Sequence, residues 1–402
     1  MLFLIACRYN QSNNKKYINF MGGYKMKRKV LSIILTGAMV AAMLVGCGSK
    51  ADAPAEAPVA DAPAETPVAD APAEAPAAEE PKAEEPAADA AGGYADKKVG
   101  VCIYQFSDNF MTLFRTELEN YLVSLGFAKD NIKIMDGQND QATQSQQIDA
   151  FIAEGVDVLI IDPVNSSSAA TITDKVVGAN IPLVYINREP DAAEEQRWQD
   201  NGWNVTYVGC DARQSGTMQG EMIVDLGKDK VDLNGDGKIQ YIMVEGDPED
   251  VDAQDRTEFS VKALTDAGWE VECLDDQVGN WQQAEAQQIV ANALGQYADK
   301  IEVVFCNNDS MALGALQAIE AAGRVVNENI YLTGVDALSE ALENVINGKM
   351  TGTVFNDHFS QSRSAADAAV RFVDGETNEY YIGCDYVKVT TDNAQAVLDM
   401  VK

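Results

Sequence analysis

The sequence predicts an α/β protein of two doubly wound parallel-sheet lobes, and three observations predict it. Short apolar runs alternate with amphipathic helical patterns from about residue 96 to the C-terminus. The runs are apolar along their whole length, as strands covered by helices on both faces must be. The strand–helix units are too many for a single sheet, and a folded remainder of about 300 residues suffices for two lobes.

The elements follow in order. Val99 to Tyr104 reads as a strand and Met111 to Leu125 as a helix. Ile132 to Met135 and Val158 to Ile161 are strands, each followed by a helix, at Gln141 to Glu154 and at Ser167 to Ala179. Leu183 to Ile186 is the next strand, and Glu189 to Gly202 reads as an acidic, irregular segment. Val205 to Val208 restarts the pattern as a strand before a helix at Ala212 to Asp225. Ile239 to Val244 is a buried strand, a polar segment follows it, and Asp255 to Ala267 is a helix. Val271 to Leu274, Val303 to Cys306, Tyr331 to Gly334 and Thr353 to Phe355 are the later strands, with helices beginning near Trp281, Ser310, Leu338 and Phe359. Parallel strands joined this way take right-handed crossovers.

The region before the domain has a different composition. Residues 1–25 read as an over-early start, because a basic then apolar signal begins at Met26 and runs to residue 46. Leu44-Val45-Gly46-Cys47 resembles a bacterial lipobox, which makes Cys47 the expected lipidated N-terminus of the mature chain. Residues 47–95 repeat Ala, Pro, Glu and Asp and form no core, so they read as a semi-extended tether. The net charge of −33 argues against nucleic acid and anionic membrane surfaces as partners, leaving the lipid as the membrane contact. Beyond Cys47 the cysteines are Cys102, Cys210, Cys273, Cys306 and Cys384. With no C-x-x-C spacing, they read as small buried residues.

In open α/β sheets ligands bind beyond the carboxyl ends of strands, so residues just after each strand are the informative ones. Here they are Tyr104, Asp108 and Phe110, then Asp162, then Asp250, Asp252 and Arg256. Trp281, Asn308, Asp336 and Asn356 complete the set. Carboxylates, carboxamides and a guanidinium match hydroxyl groups, and aromatic faces cover the C–H faces of a pyranose. Any one of the acids could equally be a helix N-cap, as Asp211 and Asp309 read. Trp281 and Asp108 are expected to lie outside the core.

Asp232, Asn234 and Asp236, with Gly237 next, match the first, third, fifth and sixth positions of a calcium loop. Lys238 would offer its backbone carbonyl and Gln240 its side-chain oxygen. Hard oxygen donors point to Ca²⁺, while Met243 stands where the loop's bidentate Glu belongs. The competing reading is an Asp-Gly turn before a strand.

These features converge on one family. V-G-V-C-I-Y-Q-F-S-D-N-F-M, D-G-Q-N-D-Q, N-R-E-P, Y-V-G-C-D, D-L-N-G-D-G-K-I-Q, E-V-V-F-C-N-N-D-S-M-A-L-G, G-V-D-A-L and G-T-V-F-N-D resemble the periplasmic galactose/glucose-binding proteins, type I periplasmic-fold substrate-binding proteins of ABC importers. The resemblance implies that Phe110 and Trp281 sandwich a hexose ring and that Asp108 serves its 4-hydroxyl. It implies that Asp252, Arg256, Asn308, Asp336 and Asn356 bond the remaining hydroxyls and ring oxygen, that Tyr104 lines the cleft, and that Glu302 is the missing calcium ligand. Asp162 and Asp250 stand where the family carries Asn and His, which leaves the preferred monosaccharide open. The implied partners are galactose or glucose and an ABC permease, with docking to a chemotaxis receptor left open. The first lobe is expected over 96–187, the second over 188–357, a return to the first over 358–386 and to the second over 387–402. That gives a three-segment hinge near Asn187-Arg188, Asp357-His358 and Asp385-Val387.

Two other classes compete. A sugar-acting hydrolase could use paired carboxylates, but no catalytic motif stands out, and the single His358 sits beside the Asn356-Asp357 crossover as a hinge residue. A sugar-responsive repressor would need an N-terminal helix-turn-helix where this chain carries a signal segment.

Overall fold

The computed structural model describes residues 93–402. Cys47, the leader, the signal segment and the tether up to residue 92 lie outside the described residues.

The first lobe begins with β1 (Val99–Ile103), α1 (Asn109–Ser124), β2 (Ile132–Asp136), α2 (Gln141–Glu154) and β3 (Val158–Ile161). It continues with α3 (Ala169–Gly178), β4 (Leu183–Ile186), α4 (Ala192–Asn201) and β5 (Val205–Cys210). The second lobe contains α5 (Ala212–Val224), α6 (Lys228–Val231), β6 (Lys238–Glu245), α7 (Val251–Asp266) and β7 (Glu270–Val278). Then come α8 (Gln283–Tyr297), β8 (Val303–Cys306), α9 (Asp309–Ala321), β9 (Tyr331–Thr333), α10 (Ser339–Ile346) and β10 (Thr353–Asn356). The chain returns to the first lobe for α11 (His358–Val373) and β11 (Tyr381–Cys384), then crosses at Asp385 into β12 (Tyr386–Val389) and α12 (Ala394–Val401).

The first sheet is parallel throughout, in the order β11-β5-β4-β3-β1-β2. The second runs β7-β6-β8-β9, also parallel. Bridges Thr333–Gly352 and Asp336–Phe355 join the β10 segment to it, and β12 pairs antiparallel with β10. Strands β1, β3, β4, β5 and β8 are buried at every residue, because helices cover both faces of each sheet. Phe114 and Leu118 of α1 fill one face of the first sheet, and Phe151 of α2 and Trp198 of α4 fill the other.

The structure moves one domain boundary. β5 pairs in register with β4, Leu183 opposite Val205, so residues 188–210 belong to the first lobe and the first crossing lies at Asp211 instead of Asn187-Arg188. The reason is that β5 offers one edge to β4 and the other to β11, and is buried on both faces.

Three element readings change as well. Glu189 to Gly202 contains a helix, α4, capped by Asp191, which accepts from Glu194 N at 2.9 Å, and ended by Gly202 in the left-handed region. Its acidic face hides Trp198, which stacks on Tyr185 with centroids 5.3 Å apart. Helix α7 starts four residues earlier than Asp255, at Val251, because Asp250 caps it. Strand β7 runs on to Val278, since the long β6 pairs with it as far as Glu245.

Candidate ligand-binding site

The carboxyl ends of the strands in the two sheets face one cavity, whose empty space is about 340 Å³ with the open solvent at its mouth included. Tyr104, Asp108, Phe110, Asn187 and Arg188 line it from the first lobe. Asp250, Asp252, Arg256, Trp281, Asn308 and Asp336 line it from the second, and Asn356 from the end of β10.

Helix capping places several of these side chains. Asp108 caps α1, accepting from Met111 N at 2.8 Å, and its other oxygen accepts from the Tyr104 hydroxyl at 2.8 Å. Asp250 caps α7 through Asp252 N at 3.0 Å, and Asn308 caps α9 through Met311 N at 2.9 Å. The same residues therefore cap helices and line the cavity. The positive ends of three helix dipoles meet at the cavity. Asp309 is not the cap of α9; it is buried and accepts from Leu338 N at 2.9 Å and Thr353 Oγ1 at 2.7 Å.

Asp252 and Arg256 lie one turn apart on α7 and pair at 3.2 Å. The Arg256 guanidinium is held on every side, donating to Ser215 Oγ, Asn307 O and the Tyr386 hydroxyl. Asn356 donates to Asp336 Oδ1 at 3.3 Å and accepts from Gln361 at 2.6 Å. One oxygen of Asp252 is buried with no hydrogen-bond partner. A buried acceptor in that state calls for a donor from whatever fills the cavity.

Phe110 and Trp281 are 5% and 9% exposed and face the cavity from opposite lobes. Trp281 is part of the apolar core of the second lobe, which corrects the expectation that it stands apart from it. Its ring lies against Gly246, where a Cβ would run into the indole, so only glycine admits this packing.

Asp162 is fully buried behind the lining and is not part of it. Its Oδ2 accepts weakly from Tyr104 N at 3.4 Å, and its Oδ1 has no partner. Burial pushes this carboxyl up to about 8, against the pull of Arg188. Asp250 is likewise raised by burial and opposed by Arg188, and burial raises Asp336 to about 7 against Arg256. These carboxyl groups lie in the lining or, for Asp162, behind it, in a desolvated region whose lining holds two guanidinium groups.

Arg188, like its neighbour Asn187, is a lining residue that sequence reasoning placed at the hinge. Its guanidinium stacks 4.0 Å from the centroid of the Tyr104 ring and donates to Val164 O. It pairs with Asp250 and Asp247 of the other lobe, both at 3.3 Å. The strand-end rule that selected the other lining residues also selects Asn187 and Arg188, which directly follow β4.

The loop before β6 is tightly bonded. Asp232 accepts from Gly235, Asp236 and Gly237 N–H groups, and Asp236 from Lys238 N at 2.9 Å. Gly235 and Gly237 take positive φ, 71° and 88°. Glu302, fully buried, accepts from Leu233 N at 2.6 Å and Gln240 N at 2.8 Å, so the remote carboxylate does reach the loop. The Gln240 amide donates to Asp236 at 2.7 Å and accepts from Asn234 at 2.9 Å. Among the described residues, no three His, Cys, Asp or Glu side chains are gathered closely enough to hold a metal by themselves.

His358 begins α11, outside the lining, edge-on to Phe110 and Phe355 with centroids 6.5 and 6.2 Å away. Burial lowers its basicity.

A model of the periplasmic binding protein domain family matches residues 99–377. The chain is 35% identical over 311 residues to the D-galactose/methyl-galactoside binding periplasmic protein of Haemophilus influenzae, covering 74% of this chain and 91% of that one. It is 25% identical over 287 residues to the ribose import binding protein of Bacillus subtilis, covering 71% and 85% respectively. Among solved structures it is similar to an ABC transporter solute binding protein of Bacillus halodurans with bound myo-inositol. That similarity has a TM-score of 0.66 at 28% identity and covers 77% of this chain and 98% of that one.

Proposed function

The chain belongs to the periplasmic binding protein family, the sugar-binding proteins of ABC importers, which bind substrates and are not enzymes, and on that premise we propose that it captures D-galactose or D-glucose between its lobes and hands it to an ABC permease. The composition of the cavity supports this reading. Phe110 and Trp281 face it from opposite lobes, and carboxylates, carboxamides and two guanidinium groups surround the space between. A pyranose offers apolar C–H faces to the first kind of group and hydroxyl groups to the second. Asp108, as cap of α1, keeps a fixed orientation and would accept from a sugar hydroxyl.

Calorimetric titration of the protein with galactose, glucose, ribose and myo-inositol tests the reading. Galactose or glucose should bind more tightly than the other two. Preference for ribose or myo-inositol would overturn the hexose assignment, and no binding of any of the four would overturn the cavity as a polyol site.

The same proposal includes a structural Ca²⁺ in the loop before β6. The donors are oxygen only, from Asp232, Asn234, Asp236, Gln240 and Glu302 with the Lys238 carbonyl, which suits a hard cation. Gln240 would have to turn its amide over to present its oxygen. Lipid attachment at Cys47 completes the proposal, placing the protein outside the cytoplasm on the membrane. Cys47→Ala should then leave the membrane fraction with its sugar affinity intact, and retention in that fraction would refute the anchor.

A further inference from the structure

We infer that Cys210 and Cys384 are a disulfide site at the base of the hinge. The inference rests on the proposed extracytoplasmic location only for its occurrence in the cell, since thiols persist in the cytoplasm and oxidise outside it.

The placement is specific. Cys210 is the last residue of β5 and Cys384 the last of β11, and they are partners in the parallel register of those strands. Register partners on neighbouring strands project to the same face of a sheet, and neighbouring strands lie about 4.8 Å apart. That separation is inside the range of roughly 4.4–6.8 Å between the Cα atoms of bridged cysteines. Both side chains also meet in one small apolar cluster with Met222, Val354 and Tyr386. The other described cysteines have no such neighbour. Cys102 is in register with Met135 and Ile161, Cys273 with Tyr241, and Cys306 with Val244.

Exposure orders the chemistry. Cys210 is buried and Cys384 is half-buried, so Cys384 is the thiol that meets an oxidant. Its thiolate attacks one sulfur of a small-molecule disulfide such as oxidised glutathione, and the other glutathione leaves as a thiolate. The Cys210 thiolate then attacks the Cys384 sulfur of that mixed disulfide and releases the second glutathione. Two protein thiols give up two electrons and two protons, and the donor disulfide takes them up as two thiols. Burial pushes the Cys384 thiol up to about 11, so little of it is thiolate at neutral pH and the exchange accelerates as pH rises.

The site lies where it would affect the hinge. β5 leads directly into the crossing at Asp211 and β11 into the crossing at Asp385. Cys210 Sγ also lies 3.8 Å from Oδ1 of Asn356, a residue of the ligand cavity at the remaining crossing. The bond would tie edge strand β11 covalently to β5, its neighbour in the sheet.

The test incubates the full chain with oxidised glutathione at pH 8.5 and maps its peptides without reduction. The expected product links Cys210 to Cys384, with the protein lighter by two hydrogens and free of glutathione. Cys210→Ser should stop at the first step and accumulate glutathione on Cys384, while Cys384→Ser should leave Cys210 as a free thiol. Wild type that retains glutathione on Cys384, or that links either cysteine elsewhere, overturns the site. Galactose titration of the same preparations reports folding and tests the sugar reading separately, because the cross-link does not depend on which ligand the cavity takes.

Discussion

Replacing Trp281 by Ala separates the two tasks the structure gives this ring. The side chain is 9% exposed, rests on Gly246 and packs into the core of the second lobe. A tryptophan buries roughly 150–250 Å² of side-chain surface, which at about 25 cal/mol per Å² corresponds to about 4–6 kcal/mol as an upper bound. Measured Trp-to-Ala changes in cores run at about 3–5 kcal/mol, so a loss of that size is expected in urea denaturation without sugar. Sugar affinity should fall independently, by about 2 kcal/mol or roughly thirtyfold, because one aromatic face of the cavity is gone. Trp281→Phe should recover much of the affinity while still lowering stability, since a smaller ring keeps a face but underfills the pocket. Denaturation and calorimetry on the three proteins measure both quantities. If Trp281→Ala binds galactose as tightly as wild type, the ring is packing alone and the sandwich with Phe110 is wrong.

Three further outcomes follow from the geometry. Arg188→Gln breaks the pairs with Asp247 and Asp250 and strands the buried Asp250 carboxylate, a change that typically costs about 3–5 kcal/mol; sugar affinity should drop at least about tenfold, and unchanged affinity would remove Arg188 from the site. Burial holds Asp162 at about 8, so the native state keeps a proton that the unfolded chain releases near pH 4. Stability without sugar should therefore fall as pH rises from about 4 to about 8, by about 1.4 kcal/mol per pH unit for that proton, and level off above. Asp162→Asn should flatten that slope in denaturation curves, and an identical slope would contradict the assignment. A chelator, or Glu302→Gln, should lower the melting temperature while moving sugar affinity far less, because the loop precedes β6 and lies at the opposite end of the sheet from the cavity; at a hundredfold excess of metal over its dissociation constant the loss is about 2.7 kcal/mol. A melting curve indifferent to chelator would rule the metal out.

Most strands were legible because β3, β4 and β8 are short, wholly apolar and bounded by polar residues or, before β4, by Pro182. Helix α4 was not, because its sequence is polar almost throughout: Gln196, Gln199 and Asp200 are exposed, and on the buried side Glu194 accompanies Trp198, the one large apolar residue there. The segments β11 and β12 are only four residues each and are not buried along their whole length, and they escaped notice as strands. Lobe assignment failed at β5 because an apolar run does not say which sheet it joins; that is set by pairing with β4 across the intervening helix. The strand-end rule gathered most of the cavity, as it should when ligand groups sit at strand ends and helix starts. It misjudged Asp162, whose side chain turns behind Tyr104 toward Arg188, because depth below a surface is a tertiary property. Arg188 was passed over for its position near an expected crossing, although it directly follows β4.

Solution X-ray scattering with and without galactose or glucose tests the capture of sugar between the lobes most directly. The lining is shared by both lobes, so a ligand touching both has higher affinity for the closed arrangement and must shift the population toward it. The radius of gyration should shrink on saturation with a hexose that calorimetry shows to bind. Tight binding with no compaction would mean that the sugar sits on one lobe alone, and the account of the cavity as a two-lobe trap would be contradicted.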